Sequence, residues 1–504
     1  MKIKLLDVLL RRVLLCQFNR DGEIKQNYIM RHHKFFTLFS LLIFLFNSST
    51  AQEVWDWEKC IDYALKNNIQ LKQSGLNLNL AEATLKQQKL NYSPNINGSS
   101  NYNLRVGNNF NFFTSEYTRE TVHYQDYGVN ISQPIFDGLI TPNNIKKSKL
   151  DLETLKLDQE VLKSNIQLQI LTAFLNIMNA NEQYNQAFNQ HSNTQKQYEN
   201  TQTLIQAGAA AEKALLDIDA QLSGEELTIA QIKNQLDLAY LQLKVILQLD
   251  IEKNITVKIP ELPKVLLLDP TEASSKIYED ALGLRPEIKS SKLKIQSAKY
   301  SINVAKGNYY PTLQLIANAN TFFSSQSKIT SQVFTGNTTA VGIVEGTFQR
   351  VLIPETLTQQ SKNPYKNQLN QNLSYSFGLS LNIPIFNKYQ VQTAVKQATI
   401  QYKNAILNEQ QSEMDLFNTI QQAYLKAQAA IESFKSAEKN YQTSKKSCTY
   451  AEERLSAGSI NQLELNLAKN NLLTAASKLT QAKYEYIFNT KVLDFYQGKP
   501  ITLE

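Results

Sequence analysis

In 504 residues there are three cysteines and four histidines, too few for a disulfide framework or for clustered metal or triad chemistry. His32 and His33 are neighbours near the start, His123 falls where a loop is expected, and His191 falls in a helical stretch. No catalytic, cofactor-binding or metal-ligating residue is therefore expected, and the enzyme classes built on such groups are excluded. The chain also lacks any run of 18 apolar residues, which excludes an inner membrane protein made of spanning helices. A β-barrel is not excluded, because its strands bury only alternate residues in lipid and leave mean hydropathy low.

The longest mainly apolar stretch, Phe35 to Phe46 with Thr37 and Ser40 inside it, is 12 residues, little more than half of the roughly 20 that a spanning helix needs. The basic stretch Met30-Arg31-His32-His33-Lys34 precedes it and the small residues Ser49-Thr50-Ala51 follow, so residues 30–51 read as an export signal cleaved before Gln52. Residues 1–29 resemble neither a signal nor a fold, and Met30 is the expected start. Before residue 52 stand eight Lys/Arg and three Asp/Glu, so the exported chain keeps only two of the seven net positive charges. That balance does not point to nucleic acid. Only Cys60 and Cys448 remain, as ordinary helix residues.

What the chain has in abundance is itself. At an offset of 217, Ala64, Leu65, Lys72, Ser74, Leu76 and Ala81 meet identical residues from Ala281 to Ala298, and Lys89-x-Asn91-Tyr92-x-Pro94 meets Lys306-x-Asn308-Tyr309-x-Pro311. At an offset of 250, Pro134-Ile135-Phe136 meets Pro384-Ile385-Phe386, Ala207-Gly208 meets Ala457-Gly458, and Leu215, Leu222 and Leu243 meet Leu465, Leu472 and Leu493. The chain is a tandem duplication. It divides into the leader (1–51), a first repeat (52–250), an irregular linker (251–274) with Pro260, Pro263 and Pro270, and a second repeat (275–504). The offsets differ by 33 residues, inserted between Pro311 and Pro384. That polar stretch, around 324–370, reads as a long exposed loop.

Beside the four matched prolines, Pro94, Pro134, Pro311 and Pro384, the pattern becomes strict alternation. Leu373, Tyr375, Phe377, Leu379, Leu381 and Ile383 oppose Ser374, Ser376, Gly378, Ser380 and Asn382. Period two predicts strands at about 94–106, 124–135, 311–323 and 373–385, with the prolines as strand–helix junctions. Small polar residues on one face and apolar residues on the other fit a watery lumen inside a lipid-facing wall. Four strands cannot close a barrel, and open edges in lipid leave backbone groups unsatisfied, so several chains must share one.

Beyond Pro142, no proline or glycine interrupts residues 143–207, and none interrupts 391–457. Each stretch predicts a helix on the order of 100 Å long. The narrow apolar stripe of Leu155, Leu162, Ile166, Ile170, Phe174, Ile177, Tyr184 and Phe188 suits coiled-coil packing. Shorter helices are expected at about 57–90, 211–247, 276–307 and 461–496, each pair stacked end to end beside one long helix. A periplasmic coiled-coil adaptor or scaffold without a pore would share these helices, but not the four strands.

In order and in register, these features resemble the TolC family of outer membrane efflux proteins: the duplication, the two Asn-Tyr-x-Pro segments, the two Pro-Ile-Phe segments, and the turn Arg454-Leu455-Ser456-Ala457-Gly458-Ser459. The resemblance covers essentially the whole exported chain. It implies an all-α tube plus membrane β: a periplasmic α-barrel of helical hairpins, with four strands per chain in a 12-stranded barrel shared by a homotrimer in outer membrane lipid. It implies as partners a periplasmic adaptor (membrane fusion protein) and an inner membrane transporter, with no nucleic acid. Gly208 and Gly458 supply the φ > 0 that reverses each hairpin, and these turns, with Arg454, are the expected adaptor-docking sites. Leu204 replaces Arg454 in the first repeat. Glu464 matches the family's pore-constricting acid, a second such acid is here Leu467, and Asp217 is expected to supply charge from the neighbouring hairpin.

Overall fold

The computed structural model describes residues 53–111, 115–209, 211–258 and 273–499. The leader with Met30 and Gln52, and the linker prolines Pro260, Pro263 and Pro270, lie outside them. Along the chain run β1 (Glu53–Trp55), α1 (Trp57–Asn67), α2 (Ile69–Leu90), β2 (Asn95–Asn111), β3 (Glu116–Phe136), α3 (Ile140–Gln206) and α4 (Glu212–Leu247). Then follow β4 (Ile255–Val257), α5 (Ser274–Leu284), α6 (Pro286–Gly307), β5 (Thr312–Ser324), β6 (Lys328–Ile343), β7 (Arg350–Lys362), α7 (Tyr365–Gln371), β8 (Ser374–Asn382), α8 (Gln390–Ser456) and α9 (Gln462–Tyr496). A small unit is built on the two-stranded sheet of β1 and β4, and a large unit holds the remaining elements.

The two repeats share one backbone. Helices α1 and α2 recur as α5 and α6 at the offset of 217, and α3, 67 residues long, recurs as α8, also 67, at 250. Left-handed φ recurs at the same offset: Gly138 (70°) and Lys388 (54°), Leu139 (66°) and Tyr389 (65°), Gly208 (71°) and Gly458 (69°), Gln248 (55°) and Gly498 (76°). Non-glycine residues rarely adopt this region. Its repetition shows that the architecture requires the conformation at each place.

Three differences from the expected elements have local causes. The helix expected over 57–90 is broken at Asn68, which ends α1 and caps α2 by accepting from the backbone N–H of Gln70 and Leu71, at 2.9 and 3.2 Å. The equivalent break is at Arg285, where Pro286 starts α6 in the position proline tolerates. The insert is not a loop: β6 and β7 form an antiparallel hairpin, whose alternation is broken by the apolar neighbours Val333-Phe334 and Val351-Leu352-Ile353 and by Thr, Gln and Ser between them. Strands β2 and β3 outrun their expected ends and pair from Asn95↔Ser132 to Asn111↔Glu116, so His123 lies in a strand, not a loop.

The short helices do stack end to end beside the long ones. Ile69, first in α2, donates its N–H to Gln248 at the end of α4, 3.0 Å away. At the equivalent seam Pro286 has no N–H to give. There the Arg285 guanidinium lies 4.2 Å from the Phe495 ring centre and holds Glu287 at 2.8 Å. The long helices bury their apolar stripe around these seams. Ile166, Ile170, Phe174 and Ile177 are buried in α3, as are Leu416, Ile420 and Ala427 at or beside the same positions of α8. Trp57 from α1 meets Phe174 edge-on at 6.0 Å. The stripe stops short of Phe188, which is 53 % exposed.

Candidate functional site

The sheet order is β2-β3-β5-β8, antiparallel throughout, with β2 and β8 as free edges. Among the described residues its apolar side chains find no covering layer: Ile96, Tyr102, Leu104 and Val106 on β2, and Tyr375, Phe377, Leu379 and Leu381 on β8, are all exposed. A soluble sandwich would bury this face against a second sheet. Here one face is left apolar over four strands, with Asn, Ser and Gly on the other, which is the chemistry of a wall between lipid and water. No described helix is long and apolar enough to cross a membrane.

The junction prolines do two jobs. Pro94 and Pro311 stand one residue before β2 and β5, after turns closed by Ser93 N–H to the Leu90 carbonyl (2.8 Å) and Tyr310 N–H to that of Gly307 (3.1 Å). Pro384 lies just past β8, whereas Pro134 sits within β3, at a bulge between residues 134 and 136, not at its end. There the missing N–H loosens the ladder and lets the strand bend toward its helix. At the next step Gly138 and Gly307 touch backbone to backbone, and a Cβ on Gly138 would lie 2.2 Å from the Gly307 carbonyl oxygen. The sequence carries no local sign of this contact, since the two glycines are distant in the chain.

At the opposite end, α3 and α8 close with the same Schellman geometry. Gly208 and Ala209 donate to the carbonyls of Ile205 and Leu204 at 2.9 and 2.8 Å; Gly458 and Ser459 donate to those of Leu455 and Arg454, both at 2.9 Å. Leu204 and Arg454 thus share a backbone role, and their exposed side chains differ. Asp217 and Glu464 are both exposed, on α4 and on the first turn of α9. Among the described residues no hydrogen bond or ion pair joins them. Glu464 also serves its own helix. Its N–H donates to the Asn461 side chain at 3.0 Å, the Asn-x-x-Glu arrangement that caps a helix start. That signal is legible in the sequence. The equivalent first-repeat cap, Ala211, offers no side-chain acceptor.

The repeats meet along α3. Tyr484 of α9 donates to Glu182 at 2.9 Å, Lys483 lies 3.8 Å from the same carboxylate, and Gln186 donates to Thr480 at 2.8 Å. Burial, with Glu182 beside it, pushes the Tyr484 hydroxyl well above its usual range, which keeps it a donor. Nearer the sheet, Ser290 and Ser297 of α6 donate to Asp158 and Asp151 of α3, both at 2.5 Å, and Lys469 reaches Gln197 near the tips at 3.0 Å. Within the first hairpin Glu225 is 7 % exposed and accepts from Gln221 (2.9 Å), Thr194 (3.0 Å) and Gln190 (3.3 Å). The second repeat has fully buried Ala475 in its place. Burial foremost raises both described thiols, Cys60 to about 12, so neither is a nucleophile near neutral pH.

Comparison with solved structures gives the same architecture. The chain aligns over 88 % of its length with the CmeC outer membrane channel of Campylobacter jejuni (21 % identity, TM-score 0.69, 85 % of that chain). It aligns equally well with the outer membrane protein VceC of Vibrio cholerae (12 %, 0.69, 97 %), also over 88 % of this chain. At such identities the likeness shows the fold alone. Among curated proteins, the alkaline protease secretion protein AprF of Pseudomonas aeruginosa is 24 % identical over 142 residues, 28 % of this chain, and the match spans 30 % of AprF. The outer membrane efflux protein family matches twice, at residues 60–247 and 277–498, once per repeat. With most of the chain matched, in two copies that the backbone repeats, the chain belongs to the outer membrane efflux protein family.

Proposed function

We propose that the chain is one subunit of a trimeric channel, its sheet sharing a 12-stranded barrel in the outer membrane and its helices forming a periplasmic tunnel for substrates handed on by other components. The carrying observation is the four-stranded sheet, apolar on one uncovered face and unpaired at both edges. In lipid, each unpaired backbone group costs several kcal/mol, on the order of what a whole domain can spare. Copies that pair β8 with the next chain's β2 remove both edges. Native mass spectrometry in mild detergent checks this: three chains are expected, and a stable monomer that inserts in bilayers overturns it. A pore-free coiled-coil scaffold has no use for the sheet and would stay in solution without detergent. Nothing in the tube needs a catalytic group, a cofactor or a metal.

The strand-distal turns are the proposed contact with a periplasmic adaptor, through which an inner membrane transporter delivers cargo. Support comes from the two matched reversals at Gly208 and Gly458 and from exposed Arg454 beside the second. Replacing Gly458 with valine is expected to abolish export while trimers still assemble. Glu464 and Asp217 are the proposed constriction, since any axis relating three copies turns each exposed tip acid into a ring of three. Such a ring favours cations, and single-channel currents of Glu464→Gln are expected to lose selectivity and block by trivalent cations. Equal currents and block would leave Glu464 as an exposed acid in the first turn of its helix.

A further inference from the structure

The two offsets that relate the repeats also relate their pairings. Asn95↔Ser132 between β2 and β3 becomes Thr312↔Asn382 between β5 and β8 when 217 is added to one partner and 250 to the other, and Asn103↔Tyr124 becomes Asn320↔Ser374. Both derived pairs are present in the sheet. The chain has one more junction of this kind, between repeats, where β3 meets β5 and where α3 meets α6 and α9. Its counterpart, between β8 and β2, cannot form within one chain, because these are the two edges of the sheet.

We propose that neighbouring copies join in the same register as the two repeats join inside one chain. The inference rests on the shared barrel proposed above and adds which residues meet. From Asn130↔Asn318 it places Ser380 opposite Asn101 of the neighbouring copy; from Gly128↔Asn320, Gly378 opposite Asn103; from Val129↔Ala319, Leu379 opposite Tyr102. Two internal checks favour this register. Tyr375, Phe377 and Leu379 meet Val106, Leu104 and Tyr102, and Ser376, Gly378 and Ser380 meet Arg105, Asn103 and Asn101; Leu381 opposite Ser100 is the exception, and a slip of one residue would invert the rest. The glycine–asparagine pair also returns: a Cβ on Gly128 would lie 2.8 Å from the Asn320 side-chain oxygen, and Gly378, with open space in the single chain, again faces an asparagine.

The helices extend the same rule. The Glu182 carboxylate with Lys483 at 3.8 Å becomes Glu432 with Lys233 of the neighbouring copy, and the Tyr484 donor becomes the Asn234 amide. All three are exposed in the single chain, where Glu432 reaches Lys435 on its own helix, at 2.9 Å. One level departs from the rule. The glycines that touch at 138 and 307 correspond to Lys388 and Leu90, whose side chains forbid that approach, so copies stand farther apart there than repeats do.

Cysteine scanning across the edge tests the register. Ser380→Cys is combined in turn with Asn97→Cys, Ser99→Cys, Asn101→Cys, Asn103→Cys and Arg105→Cys, and outer membranes are oxidised with copper phenanthroline. Directly opposed residues stand about 4.5–5.5 Å apart, within disulfide reach, and each further step of two adds about 7 Å along the strand. The linked-copy yield is expected to peak at Asn101→Cys, several-fold above 97 and 105; the parent, with Cys60 and Cys448 buried, is the blank. A peak at another position overturns the register and leaves the shared barrel standing. No linked copies at any position, with every variant exported and folded, overturns both. In the helices, Glu432→Lys and Lys233→Glu are each expected to lower the temperature at which oligomers fall apart, and together to restore it.

Discussion

The first and second repeats have the same backbone and different interiors. Where the first hairpin buries Glu225 in a polar network, the second buries Ala475; where the first uses Gly138 at a left-handed junction, the second uses Lys388. The cap Ala211 answers to Asn461, and Gln159 and Lys163 on α3 answer to Glu409 and Glu413 on α8. Backbone geometry is therefore held by the architecture, and side chains have drifted wherever the surroundings allowed. Each mismatch is a paired experiment, since one repeat serves as the control for the other.

The largest asymmetry is expected at the junction glycine. Gly138→Ala adds a Cβ against the Gly307 carbonyl at a left-handed residue, and is expected to cost on the order of 4 kcal/mol, seen as loss of the folded protein or a steep fall in thermal midpoint. Lys388→Gly relieves the same backbone and is expected to gain about 0.5–1 kcal/mol. A tolerated Gly138→Ala would mean that the repeats are less closely joined than they look. Next comes the buried carboxylate. Ala475→Glu forces a longer, charged side chain into a fully buried position, where Asn440, Ser444 and Asn471 replace the longer donors Gln190, Thr194 and Gln221, and is expected to lose about 3 kcal/mol. Glu225→Ala removes the acceptor of the Thr194 hydroxyl, 1 % exposed, which keeps long contacts with the Gln190 and Gln221 amides at 3.4 Å, and is expected to lose about 2 kcal/mol. A tolerated Ala475→Glu, by thermal unfolding followed by helical circular dichroism, would show that the second hairpin can hold the carboxylate too and that the polar network is not specific to the first.

Smaller effects sharpen the comparison at the tips. Asn461→Ala is expected to cost about 1 kcal/mol and Ala211→Asn to return a similar amount, because a side-chain acceptor at a helix start is worth about that. The smallest depends on pH. Burial foremost, then Glu413, holds the Glu409 carboxyl above its usual range. A raised carboxyl favours the fold below its ordinary pKa and loses that contribution as pH rises through the folded value. Glu409→Gln is thus expected to raise stability by a few tenths of a kcal/mol at pH 7 and by nothing at pH 4, a small effect because solvent screens the site. No gain at pH 7 would mean that Lys292, the nearby cation, already offsets the repulsion.

How much can be read from residues alone follows from range. The long helices, the tip glycines and the four alternating strands depend on local pattern, and the offsets of 217 and 250 align their copies. The break at Asn68 has no proline beside it and escapes such a reading, whereas the equivalent break carries a local mark, Pro286, at the first position of α6. The insert's hairpin escapes it because its strands do not alternate strictly: Val333-Phe334 and Val351-Leu352-Ile353 put apolar residues on both faces, among Thr, Gln and Ser. Gly138 against Gly307, and the Ser290 and Ser297 hydroxyls on α3 carboxylates, join residues over a hundred positions apart. No local signal carries such contacts. The tip acids show the opposite limit: Glu464 stands out by resemblance, while its cap with Asn461 is present in four consecutive residues.

The seams between stacked short helices have a mechanical meaning. Beside every unbroken rod of 67 residues lies a jointed one, held at Ile69 by a single hydrogen bond and at Arg285 by stacking on an aromatic ring. A continuous helix resists stretching and bends little, whereas a butt joint rotates at small cost. With both joints at equivalent positions along the repeats, the wall has a compliant belt partway along its length. At that level the unbroken α3 and α8 carry a twist of the distal half to the sheet, while the jointed helices beside them can turn at their seams.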